Sequence, residues 1–197
     1  MAKIFGNFHL ALGIGVVLLI VAMFGLHGTM LSDGTYPWAQ WLRFVHIFAG
    51  ILWIGLLYYF NFVQIPTMPK VPAELKPAVS KYIAPAALFW FRWAALATVI
   101  LGLLVAETQQ GGFSGRALSF QAGYRVIGLG MWLGIIMAAN VWFIIWPNQK
   151  KALGIVAVAD DVKAKAASVA MMASRTNLIL SIPMLYCMVG QTHIGAV

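Results

Sequence analysis

Phe8 to Met30 reads FHLALGIGVVLLIVAMFGLHGTM, a run without a single Asp, Glu, Lys or Arg. Backbone amides find no water in the core of a bilayer, so a crossing segment must satisfy its own backbone, and a helix needs about 20 mainly apolar residues to do so. This run is long enough. Outward from it lie four more of the same kind: Trp38 to Phe62, Ala86 to Ala106, Tyr124 to Trp146 and Ala170 to Gln191. The composition agrees, since 62% of the 197 residues are hydrophobic and 9% are charged, whereas a soluble domain carries about 25% charged residues. The expected fold class is all-α, a polytopic membrane bundle of about five transmembrane helices forming one domain over residues 1–197. Lys3 before the first run imitates a signal peptide, but the run is too long for one and no small-residue cleavage site follows it.

The lysines set the orientation. Lys3 precedes the first run, Lys70, Lys76 and Lys81 lie between the second and third, and Lys150, Lys151, Lys163 and Lys165 lie between the fourth and fifth. The other links carry only Asp33 in one case and Glu107 with Arg116 in the other, and no charge follows His193. N-terminus in and C-terminus out is the consistent expectation. The net charge of +8 then reads as a topology signal and an attraction to anionic lipid, with the bilayer as partner and no role for nucleic acid. Cys187 stands alone, which leaves no disulfide framework and no CxxCH haem attachment. Five prolines between Pro66 and Pro85 predict a stiff link with a short interfacial helix around Ala73 to Tyr82. Gly111 to Gly123 reads as an outer loop, and Lys150 to Met172 as an amphipathic cytoplasmic stretch leading into the fifth helix.

Ionisable groups at membrane depth are costly and face a partner or a cavity, so they mark where function should be sought. On the second helix Arg43, His46, Gly50, Trp53, Leu57 and Asn61 follow helical spacing along one face, expected to point inward. His46 falls about 12 Å below the outer surface if the helix starts near Trp38, and Gly50 leaves room beside the imidazole for something flat. Arg175, Ile182, Tyr186 and His193 share a face of the fifth helix in the same way. With this topology His27, His46 and His193 gather toward the outer half, at the level of Arg43, Arg116 and Arg125. Imidazoles flanked by arginines suit a b-type haem, with axial ligands from among His46, His193 and His27 and with Arg43 and Arg125 on the propionates. A copper or zinc site and plain packing remain alternatives. His46 lies deeper than His193, and helix tilt, a kink at Pro183 or substitution by His27 would reconcile the two.

A second polar group gathers toward the inner side: Asn61 and Gln64, Arg92, Asn140, Asn148 with Gln149, and Arg175, Asn177 and Ser181. Amides beside two guanidinium groups are able to hold a planar anion through bidentate hydrogen bonds. The plainer alternative is a set of helix caps and interhelical hydrogen bonds. The tryptophans at 38, 41, 90, 93, 142 and 146 read as interfacial belts. Gly128, Gly130 and Gly134 read as close helix packing, since no strand precedes them to make a nucleotide loop.

At these residues the chain resembles the N-terminal membrane domain of the membrane-bound, cytochrome c-linked bacterial urate oxidases. The resemblance is carried by HIFAGILWIG at His46–Gly55 with Tyr59, Phe60 and Asn61, FWFRW at Phe89–Trp93, NVWFIIWPNQK at Asn140–Lys150, and SRTN at Ser174–Asn177 with Ser181, Pro183 and His193. The run from Asn140 to Lys150 is the most specific, because membrane insertion does not require its polar residues. The His-plus-Trp-Gly helix is more weakly similar to small haem-binding membrane proteins of the protoporphyrinogen oxidase type and to copper-resistance membrane proteins. The resemblance implies a multi-pass redox module of the bacterial inner membrane. His46 and His193 would hold the haem b iron, and Arg92, Asn140, Asn148, Arg175 and Asn177 would contact the substrate. A periplasmic cytochrome c or other membrane subunits are the implied partners. Enzymes of that family continue into a haem c domain and carry more membrane segments, so the sequence ending at Val197 is expected to be a short form. The competing expectations are a non-catalytic subunit of a larger respiratory or oxidoreductase complex, and a copper-handling membrane protein.

Overall fold

Helices and short turns make up the computed structural model, which describes residues 6–34, 37–109 and 111–193; no strand occurs among them. The side chain of His193 and the signal residue Lys3 lie outside the described residues. The chain divides into two units, Met1–Gln40 and Trp41–Val197. In the first, helix α1 spans Phe8–Ser32, and the Asn7 Oδ1 atom caps it by accepting from the Leu10 amide at 3.1 Å. None of its residues is buried, and its apolar side chains point in every direction, as suits a helix solvated by lipid. His27 departs from helical geometry, with φ −127° and ψ 17°.

The rest of the chain forms α2 (Trp38–Lys70), α3 (Lys76–Thr108), the short α4 (Ser114–Leu118), α5 (Arg125–Ala152) and α6 (Asp160–His193). Helices α1, α2, α3 and α5 are long and apolar enough to cross a membrane, so this is a membrane protein. The fifth expected span lies within α6, which is the most polar of the long helices. Its 34 residues include Asp160, Asp161, Lys163 and Lys165 near the start and Arg175, Asn177 and Ser181 in the middle, and it falls outside those four.

The helices run further at the lysine-rich end than the apolar runs do. Between the second and third runs the chain leaves the helix only at residues 71–75, so the expected interfacial helix at Ala73 to Tyr82 is for the most part the opening of α3. Its prolines are accommodated rather than disruptive. Widened π-helical turns occupy Tyr59–Gln64, Val79–Ile83 and Val141–Ile145, and each precedes a proline, namely Pro66, Pro85 and Pro147. The closing bonds run from the amides of Ile65, Ala84 and Trp146 to the carbonyls of Phe60, Val79 and Val141, five residues back. A proline ring has no N–H and clashes with the carbonyl four residues before it; widening the preceding turn turns that carbonyl aside and lets the helix continue.

Four helices contribute to one core. Trp53, Leu57 and Phe60 of α2 meet Leu88, Phe91 and Ala95 of α3, Met137, Val141 and Ile145 of α5, and Ala173 and Met184 of α6. The α2 stripe that the sequence turns inward is thus buried at Trp53 and Leu57. On α6 the expected inward face is corrected: Arg175 is exposed, Ile182 is 66% exposed and Tyr186 64%. The buried face carries Ala166, Ala170, Ala173, Asn177, Ser181 and Cys187 instead. Small side chains let α6 approach α5 closely, whereas bulky ones lose nothing in lipid, which is as apolar as they are. Gly130 shows how close the approach is, because a Cβ there would stand 3.0 Å from the Cys187 Cβ. At the end opposite the lysines, Gln191 caps α5 by accepting from the Ile127 amide at 3.0 Å and donating to the Gly123 carbonyl at 3.1 Å.

Candidate functional site at the lysine-rich end of the core

Two of the widened turns, on α2 and α5, flank a cavity of about 210 Å³. Phe60, Gln64 and Ile65 of α2 line it, with Leu88 and Phe91 of α3, Ile145, Gln149 and Ala152 of α5, and Ala167, Ala170, Met171 and Ser174 of α6. Phe60 and Phe91 meet edge to face, with ring centroids 5.5 Å apart and planes at 82°. The walls are apolar, and the polar exceptions are Gln64, Gln149 and Ser174. The Gln64 Oε1 atom is buried without a hydrogen-bond donor. Asn61, one turn before it, gives its Nδ2 protons to the Leu57 carbonyl and the Ser174 hydroxyl, both at 2.9 Å. Its Oδ1 is likewise buried and unsatisfied. A buried acceptor without a donor costs about 1–3 kcal/mol, so the Gln64 oxygen at the cavity wall suits water or another molecule that brings N–H or O–H groups.

The other amides of the inner group are committed elsewhere. Asn177 is fully buried and donates through Nδ2 to the Met137 carbonyl at 3.0 Å. Its Oδ1 accepts from Asn140 Nδ2 at 2.7 Å, and Asn140 also donates to the Ala173 carbonyl at 2.9 Å. The pair therefore clamps α5 to α6. A second polar link joins the Tyr58 hydroxyl of α2 to the Ser181 hydroxyl at 3.2 Å, and Ser181 in turn donates to the Leu178 carbonyl at 2.8 Å.

The cations expected beside these amides do not join them. Arg92 stacks its guanidinium over Trp146, 3.9 Å from the ring centroid, and over Phe89 at 5.4 Å. Arg175 lies on the exposed face of α6, and Asn148 donates within its own helix to the Ile144 carbonyl at 2.8 Å. The expected planar-anion cradle is thus dispersed, because α3 and α6 turn aromatic and small residues toward the core and leave the guanidinium groups at the rim. Of the polar cavity residues, Gln64 and Gln149 belong to the inner polar group expected from the sequence, and Ser174 enters there only through the SRTN piece of the resemblance. Gln64 and Gln149 each stand two residues from a proline next to a widened turn.

His46 lies about 21 Å along α2 from Phe60. It is half-buried, and its Nδ1 lies 2.9 Å from the Thr98 carbonyl of α3, to which it donates. The ring covers Gly102, where a Cβ would stand 2.9 Å from Cε1. The flat slot expected beside Gly50 is filled by Thr98, whose Cγ2 would stand 3.7 Å from a Cβ there. A backbone bond at Nδ1 does suit a metal-binding imidazole, since it fixes Nε2 as the ligating atom. With Thr98 against Gly50 and the imidazole over Gly102, no flat slot opens between α2 and α3 at these two glycines. Arg43 is half-buried on the same helix, and Arg125 is exposed at the first turn of α5. His27 belongs to the Met1–Gln40 unit. Among the described residues no three His, Cys, Asp or Glu side chains gather as a metal site.

Residues 106–197 match the family model described as urate oxidase N-terminal. The urate oxidase N-terminal match takes in α4, α5 and α6, and with them the Asn140–Asn177 clamp and the cavity residues Ile145, Gln149, Ala170, Met171 and Ser174. The HIFAGILWIG and FWFRW pieces, which also carry the sequence resemblance, lie before its first matched residue. No curated protein and no solved structure matches the chain.

Proposed function

We propose that this chain is the membrane module of a urate oxidase-type system, and that it takes a small planar heterocycle of the purine class into the cavity at the lysine-rich end. The observation that carries the reading is the unsatisfied side-chain carbonyl oxygen of Gln64 at a cavity walled by Phe60 and Phe91. A ring N–H of such a heterocycle supplies the donor that the Gln64 oxygen lacks, and the aromatic walls accept its faces. The volume of about 210 Å³ lies below the usual range of roughly 300–1,000 Å³ for drug-sized ligands, which favours a one- or two-ring molecule. By the positive-inside rule the cavity faces the cytoplasm of a bacterial inner membrane. Oxidation of such a substrate requires an electron acceptor, and a further membrane subunit that carries the electrons across to a cytochrome c at the opposite membrane face is the partner that fits this role. No electron path through His46 forms part of the reading.

Binding of radiolabelled urate to the protein in lipid nanodiscs tests it. Saturable binding is expected, with Gln64→Leu about tenfold weaker, as loss of about one ligand hydrogen bond implies. Ala167→Phe, at the exposed rim of the cavity, should block entry while leaving the fold intact. Absence of urate binding, or binding by Ala167→Phe equal to that of the unaltered protein, would refute the reading. Either result would favour a non-catalytic subunit, for which the commitment of Asn140, Asn177 and His46 to interhelical bonds already speaks.

A further inference from the structure

Outside the cavity, the seam between α3 and α5 carries a cluster that the substrate reading does not use. Arg92 lies over Trp146, and Lys150 reaches the same ring from the last turn of α5, its Nζ 5.7 Å from the centroid. The Trp142 indole donates to the Arg92 carbonyl at 3.1 Å and meets Trp93 edge on, with centroids 5.3 Å apart. Phe89 and Trp93 are nearly half exposed, so the seam is an aromatic shelf open to the surroundings. Neither Arg92 nor Lys150 forms an ion pair among the described residues, and the Arg92 guanidinium makes no hydrogen bond among them. A guanidinium carries five N–H donors, and here stacking uses its faces while the donor edge stays unused.

Depth identifies the surroundings. Arg92 lies about 24 Å along α3 from Thr108, and Trp146 about 31 Å along α5 from Arg125. The hydrocarbon core is about 30 Å thick, so the cluster stands where acyl chains give way to headgroups on the lysine-rich side. The cavity does not compete for it, because α3 turns Leu88 and Phe91 to the cavity.

We propose that this seam is a binding site for one anionic phospholipid, whose headgroup phosphate is held by Arg92 and Lys150 and whose acyl chain lies along Phe89, Trp93 and Trp142. Stacking on Trp146 pre-orients the guanidinium, so little side-chain freedom is lost when the phosphate arrives. Lys150 adds a second positive charge, which selects a headgroup of net negative charge over a zwitterionic one.

The test is native mass spectrometry of the delipidated full chain, titrated with phosphatidylglycerol, phosphatidylcholine or inorganic phosphate. One phosphatidylglycerol should be retained in preference to phosphatidylcholine, and millimolar inorganic phosphate should not displace it. Arg92→Gln should weaken that binding about tenfold or more, the loss expected for hydrogen bonds to a charged group. Arg92→Lys, which keeps the charge without the planar stack, should fall between. Equal retention of the two lipids, displacement by free phosphate, or undiminished binding by Arg92→Gln would overturn the proposal. Where Arg92→Gln does not fold, Lys150→Gln decides, since the Lys150 ammonium lies 5.7 Å from the Trp146 centroid, farther than the Arg92 guanidinium at 3.9 Å; undiminished binding there overturns it equally.

Discussion

Replacing Asn177 with alanine separates a helix clamp from a ligand contact. The substitution removes the bond to the Met137 carbonyl and the bond from Asn140. In membrane proteins such interhelical bonds average about 0.6 kcal/mol each, with a maximum near 1.7. One N–H of Asn140 is also left facing a fully buried gap, at about 1–3 kcal/mol. The resulting loss is about 2–4 kcal/mol of stability, equivalent to roughly 30- to 1,000-fold in the folding equilibrium. Reversible unfolding in mixed micelles, followed by tryptophan fluorescence, measures it. Asn148→Ala is the matched control, because that amide bonds only within its own helix and its loss should cost about 0.5 kcal/mol or less. A loss below about 0.5 kcal/mol for Asn177→Ala, or equal losses for the two variants, would refute the clamp and return Asn177 to the substrate site.

Four shorter tests follow from the same structure. Gly130→Val should destabilise by about 1–3 kcal/mol through overpacking against Cys187, whereas Gly134→Ala, with nothing within 4 Å of its Cβ position, should be near neutral in the same assay. His46→Ala should lower stability by about 1–2 kcal/mol and leave the absorption spectrum of the purified protein unchanged; loss of a Soret band would restore His46 as a haem ligand. Pro147→Ala returns an N–H to the helix and lets the Val141–Ile145 turn tighten, so urate binding should weaken about tenfold with stability equal or higher; unchanged binding would separate the cavity from that turn. Reporter fusions should place Lys76 and Lys163 in the cytoplasm, and a periplasmic signal at either would reverse the assigned orientation.

The membrane class and the helical fold are legible in the sequence because a bilayer imposes one strict local rule, namely length and apolarity over a single segment. The run from Phe8 to Met30 satisfies that rule without reference to any other part of the chain, and so do the segments within α2, α3 and α5. The stripe at His46, Trp53 and Leu57 was readable for a similar reason, since helical period alone places those residues on one face. The α6 face was not. Arg175, Ile182 and Tyr186 have the same period as Ala170, Asn177 and Ser181, and only the close approach of α5, made possible by Gly130, decides which of the two stripes turns inward. The neighbour of Gly50 was not readable either, because the glycine leaves space that the sequence assigns to nothing, while the fold assigns it to Thr98, which lies far away in the chain. The cavity itself depends on turns of two helices widened ahead of Pro66 and Pro147. Each proline is visible in the sequence, but the void exists only where the two widened turns are brought to the same level of the bundle.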